Sequence, residues 1–169
     1  MPNKSIFNWS GGKDSSLALN HVLQDPTFSV DLLLTSINSH RQRVSMHGVR
    51  EVLLEQQAES IGLPLHKVML PDQPSMSDYN NIMGETMTKL KKEQYTHSIF
   101  GDIFLEDLKK YREEKLSEQG FKAHFPLWKK DTRELIHEFI DLGFKTVVVC
   151  AKAELLGEEF TGRIMDLDF

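Results

Sequence analysis

The sequence predicts an α/β protein: an open, mostly parallel sheet flanked by helices. Three observations carry this expectation. Short apolar runs alternate with helical periodicities from one end of the chain to the other, the rhythm of strand–helix–strand units. Residues 30–37 (VDLLLTSI) form the strongest apolar run, hydrophobic on both faces as central parallel strands tend to be. The stretch FNWSGGKDSS at positions 7–16 follows the first apolar run, so its turn falls at the carboxyl edge of the sheet, where open α/β proteins bind ligands.

Taken in order, residues 6–9 read as a strand and 14–24 as a helix ending before Asp25-Pro26. The strand 30–37 follows. Residues 47–61 read as a helix, with Leu54, Ala58 and Ile61 at helical spacing and Gly62 as the stop. Residues 65–70 return to strand. After the loop 71–74, Ser75 or Ser77 can cap a helix whose buried face is Tyr79, Ile82, Met83, Thr86, Met87 and Leu90. Residues 97–103 read as a short strand and 106–119 as a charged helix closed by Gly120. Residues 122–125 lead into Pro126-Leu127-Trp128. Asp131 or Thr132 caps a helix buried through Leu135, Ile136, Phe139 and Ile140, and 146–150 (TVVVC) reads as the last strand. No linker or repeat interrupts the pattern, so one domain over 1–169 is expected. The irregular, abruptly apolar tail 151–169 suggests a truncated C-terminal element.

Bulk properties narrow the function classes. Net charge is −5 and the pI about 5.8, which argues against a nucleic-acid partner held by a global basic field. No apolar run approaches the roughly 20 residues that span a bilayer, and the first strand begins too early for a signal peptide. The single cysteine, Cys150, excludes an internal disulfide and any Cys-x-x-Cys pair. A cytoplasmic protein without a membrane partner is expected. A homo-oligomer is left open.

The turn in FNWSGGKDSS has more chemistry than a turn needs. Gly11 and Gly12 let the backbone come close to an anion and present consecutive amides. The helix that follows points its unpaired N–H groups and positive dipole end at the same spot. Ser10, Ser15 and Ser16 offer hydroxyls, and Lys13 a charge. Together they make an anion cradle. Asp14 follows the lysine where a Walker A loop has Ser or Thr, and the glycine spacing fits neither that motif nor Gly-x-Gly-x-x-Gly.

Other candidates stand beside plainer readings. Asp102, after Gly101 at the end of a predicted strand, could hold Mg²⁺ through water, orient an amine, or cap the next helix. Arg112 and Glu113 lie in a charged helix whose default is a solvated face. His47 by itself reads as a capping or packing residue, and the histidines show no metal-ligand spacing. Arg163 could meet phosphate or simply lie on the surface. Cys150, at the end of an apolar run, reads as a small buried hydrophobe.

Residues 10–15 (SGGKDS) resemble the pyrophosphate loop of the N-type ATP pyrophosphatases, the group containing the NAD, GMP and asparagine synthetases. Further segments resemble the diphthine–ammonia ligase family: Met46-His47-Gly48-Val49-Arg50, Gln57-Ala58, Gly62-Leu63-Pro64-Leu65, Phe100-Gly101-Asp102-Ile103, Tyr111-Arg112-Glu113, Phe125-Pro126-Leu127-Trp128 and Gly162-Arg163. The resemblance implies an adenine nucleotide alpha-hydrolase-like (Rossmann-like) fold. It also implies ATP with Mg²⁺ as the cofactors and a carboxylate acceptor, on a small molecule or a modified protein side chain. ATP adenylates that carboxylate, and ammonia converts it to an amide. On this reading Lys13 and Asp102 are catalytic. Ser10, Gly11, Gly12, Lys13, Asp14, Ser15, Ser16, Ser36 and His47 bind the nucleotide, with Ser36 near the adenine. Gly101, Asp102, Arg112, Glu113 and Arg163 face the substrate. The alternatives are a tRNA-modifying enzyme of the same superfamily and an ATP-binding sensor without turnover.

Overall fold

The computed structural model describes residues 1–45 and 47–169; Met46, first residue of the Met-His-Gly segment, lies outside the described residues. The chain divides into two compact units, Met1–Trp128 and Lys129–Phe169.

The first unit contains β1 (Asn3–Asn8), α1 (Lys13–Leu23), β2 (Phe28–Asn38), β3 (Arg43–Val44), α2 (Glu51–Ile61), β4 (Leu65–Leu70), α3 (Met76–Lys92), β5 (His97–Ile99), α4 (Glu106–Glu118) and β6 (Lys122–His124). Among the described residues they form one six-stranded sheet. Its parallel strands run β4-β2-β1-β5-β6. The chain leaves β1 toward β2 on one side and reaches β5 on the other, so the topological switch point lies between β1 and β5. Crevices at such points hold ligands in open α/β sheets.

Alternation along the strands builds two buried layers. Ile6 and Leu34 join Val68, Leu70, Met87, Leu90, Leu116 and Phe121 in one cluster, which glues α3 and α4 to that face. On the opposite face Phe7, Leu33 and Ile37 are fully buried. Helix α3 has the expected buried side, and the choice of cap falls on Ser75: its hydroxyl accepts from Asp78 N while Asp78 Oδ2 accepts from Ser75 N, each 3.1 Å.

Three expectations change. The helix predicted over 47–61 begins only at Glu51. Gly48 has φ +66°, and Val44 N bonds to Val49 O at 2.8 Å, so the chain before α2 closes a hairpin on β3. This strand pairs antiparallel with Ile37 and Asn38 of β2. The other edge of those residues carries β4, which puts the hairpin on the edge of β2 that β1 vacates, beyond the carboxyl end of β1. The strand predicted over 97–103 stops at Ile99, because the chain then turns across the start of α1.

The third change lies in the second unit, which holds α5 (Thr132–Asp141). Asp131 caps α5 by accepting from Arg133 N and Glu134 N, and Leu135 and Phe139 are its buried residues. Residues 146–150 form no regular strand. They make a single antiparallel bridge, Val147 to Ile164, leaving Val147 and Val149 exposed. Cys150 is exposed as well, not buried as its apolar neighbours suggested.

Candidate functional site

Residues 9–12 connect β1 to α1 at the switch point. Gly11 has φ +76°, a left-handed state open to glycine at no steric cost. Gly12 is the N-cap of α1 and makes no side-chain capping bond. The first amides of α1 therefore keep their donor capacity and the helix its positive end. The serines divide the work. Ser15 is buried, and its Oγ accepts from Ser10 N at 3.3 Å. Ser10 Oγ accepts from Gly12 N at 3.4 Å, and Ser16 Oγ donates to Gly12 O at 3.1 Å. These bonds fix the turn's shape. The Lys13 ammonium pairs with the Asp14 carboxylate, both half-exposed.

The second lip is the segment after β5. A Cβ on Gly101 would lie 3.1 Å from the Asp14 carbonyl and from Ser15 Cα; only glycine lets this strand end press against the first turn of α1. Asn8 joins the lips from below, donating through Nδ2 to Ser98 Oγ (2.8 Å) and Ile99 O (2.9 Å). Asp102, next along the chain, pairs with Arg112 of α4. The Arg112 guanidinium carbon lies 4.3 Å from the Phe100 ring centroid, a cation–π contact. Burial pushes Arg112 below its ordinary range, opposed by nearby Tyr79. The N-cap of α4 is Leu105, so Asp102 does not serve as that helix's cap. What remains is a carboxylate held by a half-buried cation beside an anion cradle.

Residues 3–123 match the family model of the diphthamide synthase N-terminal domain. The chain belongs to this family. It is a family of the PP-loop, ATP-pyrophosphatase-like type. Solved structures agree on the fold. The predicted subunit of a tRNA methyltransferase from Methanocaldococcus jannaschii shares 17% identity and a TM-score of 0.55, covering 81% of this chain and 75% of that one. The U34-tRNA thiolase NcsA from Methanococcus maripaludis, solved with its [4Fe-4S] cluster, shares 16% identity and a TM-score of 0.51, covering 89% of this chain and 61% of that one. No curated protein matches the sequence.

Within this diphthamide synthase-type domain, the structure brings together Ser10, Gly11, Gly12, Lys13, Asp14, Ser15 and Ser16 on one lip and Gly101, Asp102 and Arg112 on the other. The remaining candidates make contacts of their own. Ser36 lies near the end of β2, but its carbonyl accepts from both N and Oγ of Ser45, at 3.0 and 3.3 Å, so an adenine amino group would compete with Ser45 for it. His47 is exposed in the hairpin turn. Glu113 is exposed and pairs with Lys109 one helical turn away, at 3.4 Å. Arg163 belongs to the second unit, where its guanidinium carbon lies 5.4 and 5.3 Å from the Phe160 and Phe169 rings and Nη2 donates to Asp168 O at 3.3 Å. Gln57 and Asn8 support the site without having been singled out for it.

Proposed function

We propose that this domain binds ATP with its β and γ phosphates in the turn 10–15, and that ATP is used to adenylate a carboxylate which ammonia then converts to an amide. One observation supports this above the others: an uncapped helix N-terminus, behind two glycines and a lysine, lies against Gly101 of the segment after β5 that carries Asp102. The donors suit a polyphosphate, and they stabilise the charge that builds on departing pyrophosphate. The acceptor carboxylate attacks the α phosphorus, the bond from that phosphorus to the bridging oxygen breaks, and pyrophosphate leaves. Ammonia then attacks the acyl carbon, sheds a proton, and AMP leaves. Asp102, restrained by Arg112, accepts hydrogen bonds from the incoming amine and orients it.

Mg²⁺ supplies charge neutralisation on the phosphates when bound. Among the described residues no group of three His, Cys, Asp or Glu side chains could hold a metal by itself. On this reading the ion is carried in by the nucleotide's own oxygens, with Asp14 or Asp102 reaching it through water.

A second reading, modification of a tRNA base through an adenylated intermediate, draws on the two solved structures, both described as proteins of tRNA modification. These 169 residues hold one cysteine, so they cannot by themselves build a cysteine-ligated iron–sulfur cluster. Chromatography of labelled nucleotides separates the readings. Turnover with a carboxylate acceptor and ammonium should release AMP and pyrophosphate, and Lys13→Ala should weaken ATP binding with the fold intact. ADP as the sole product with the true acceptor present would remove adenylation altogether; AMP formed only with RNA would favour the second reading.

A further inference from the structure

Gln57 of α2 has no part in the chemistry above, yet its carboxamide touches the glycine turn twice. Nε2 donates to Gly11 O at 3.3 Å, and Oε1 accepts from the indole Nε1 of Trp9 at 3.2 Å. A Cβ on Gly11 would meet Oε1 at 2.7 Å, so the amide lies flush against the left-handed residue. Its orientation is unambiguous. Flipped, it would set NH₂ against the indole N–H and oxygen against a carbonyl oxygen, losing both bonds. Trp9 is 4% exposed, and a buried indole N–H needs an acceptor. Leu54, fully buried on the same face of α2, lies 3.5 Å from that virtual Cβ. The apolar side of α2 thus seats the helix and delivers one polar group to the turn.

A Ser-Gly-Gly turn left unbraced would sample many backbone states, each aiming its amides differently. We infer that Gln57 is a positioning residue for the glycine turn: its carboxamide selects the Gly11 backbone state in which the free amides at the start of α1 converge on phosphate oxygens. The inference rests on the phosphate reading above. It also explains why an amide is required. A glutamate could still accept from Trp9, but it could not donate to Gly11 O, and its charge would oppose a polyphosphate. A methionine of similar length would fill the space and make neither bond.

Calorimetric titration with inorganic pyrophosphate and with ATP tests this on Gln57→Met, Gln57→Glu and Lys13→Ala. Each Gln57 variant should bind both probes about tenfold more weakly, the equivalent of one or two lost hydrogen bonds, with Gln57→Glu the weaker. Without ligand, the Trp9 indole proton resonance should shift and exchange of the Gly12 amide should quicken in Gln57→Met, which a purely space-filling role would not produce. Trp9→Phe, which removes the indole donor together with part of the ring and leaves the Gln57 bond to Gly11 O in place, serves if a Gln57 variant folds poorly, and should show a loss of the same kind. Wild-type affinity in the Gln57 variants, with Lys13→Ala weakened, overturns the positioning role and leaves the phosphate reading standing. Wild-type affinity in Lys13→Ala as well removes that reading, and this inference with it.

Discussion

Gly101→Ala should damage the site and the fold together. The added methyl would lie 3.1 Å from three backbone atoms of Asp14 and Ser15. Backbone at the start of a helix cannot swing aside as the tip of a long side chain can. Either β5 or α1 must retreat by a few tenths of an ångström, and overpacking of this kind costs about 1–3 kcal/mol. At about 2–4 °C per kcal/mol for a chain of this size, the melting midpoint should fall by about 4–8 °C for a cost near the middle of that range. Gly101 has no positive φ, so the loss measures close approach alone. Gly84 is the control. It lies inside α3, where a Cβ would meet nothing nearer than Gln119 Nε2 at 3.9 Å, and Gly84→Ala should gain about 0.5–1 kcal/mol. Calorimetric melting of both variants, with ATP titration of the first, makes the comparison. A Gly101→Ala protein that melts at or above the wild-type midpoint would refute the contact on which the two-lipped site depends.

Two further outcomes follow from burial. Cys150 is exposed, so Cys150→Ala should change stability by less than about 0.5 kcal/mol, and a thiol reagent should label the native protein completely; labelling only after unfolding would contradict the exposure. His97 and His124 are both held below the ordinary histidine value of 6.5, mainly by burial, with Lys122 next for His97 and Asp25 opposing the effect for His124. The unfolded chain then binds protons that the folded chain resists, so stability is full above about pH 6.5 and declines as pH falls toward the two lowered values. The urea midpoint should be lower at pH 5.5 than at 7.5, with a smaller difference in His97→Gln; an equal or higher midpoint at pH 5.5 would refute it.

Much of the fold was legible because period and punctuation agreed. Residues 65–70 were bounded correctly between a glycine stop and a proline loop, and the spacing of Tyr79 to Leu90 gave the packed side of α3. The errors share a cause: pairing partners are not written in local pattern. The run 146–150 is β-branched and apolar, yet among the described residues its one bridge partner is Ile164. The helical spacing of 54–61 invited extension back to His47, across a glycine that the structure holds in a left-handed state. The cradle itself was readable because its residue types are contiguous. The ties among its parts were not, since Asp102 and Arg112 meet across ten positions and Gln57 reaches Gly11 across 46. Two signals for Gln57 were present: it belongs to the family-like Gln57-Ala58 segment, and it stands three residues after Leu54, on the buried side of α2, where a polar side chain calls for a partner.

Asn8 bears on how the crevice meets a ligand. Its two bonds to Ser98 and Ile99 continue the β1–β5 ladder past its last backbone pair, Phe7 with Ile99. The two walls are thereby set at a fixed gauge before anything enters between them. Closing such a gap on arrival would spend binding energy on ordering the walls, whereas a gap already set leaves that energy for affinity. The seam ties the two walls together, so on the proposed reading a nucleotide held by one would present its reactive end to the other at a spacing set by strand separation, about 4.8 Å per strand.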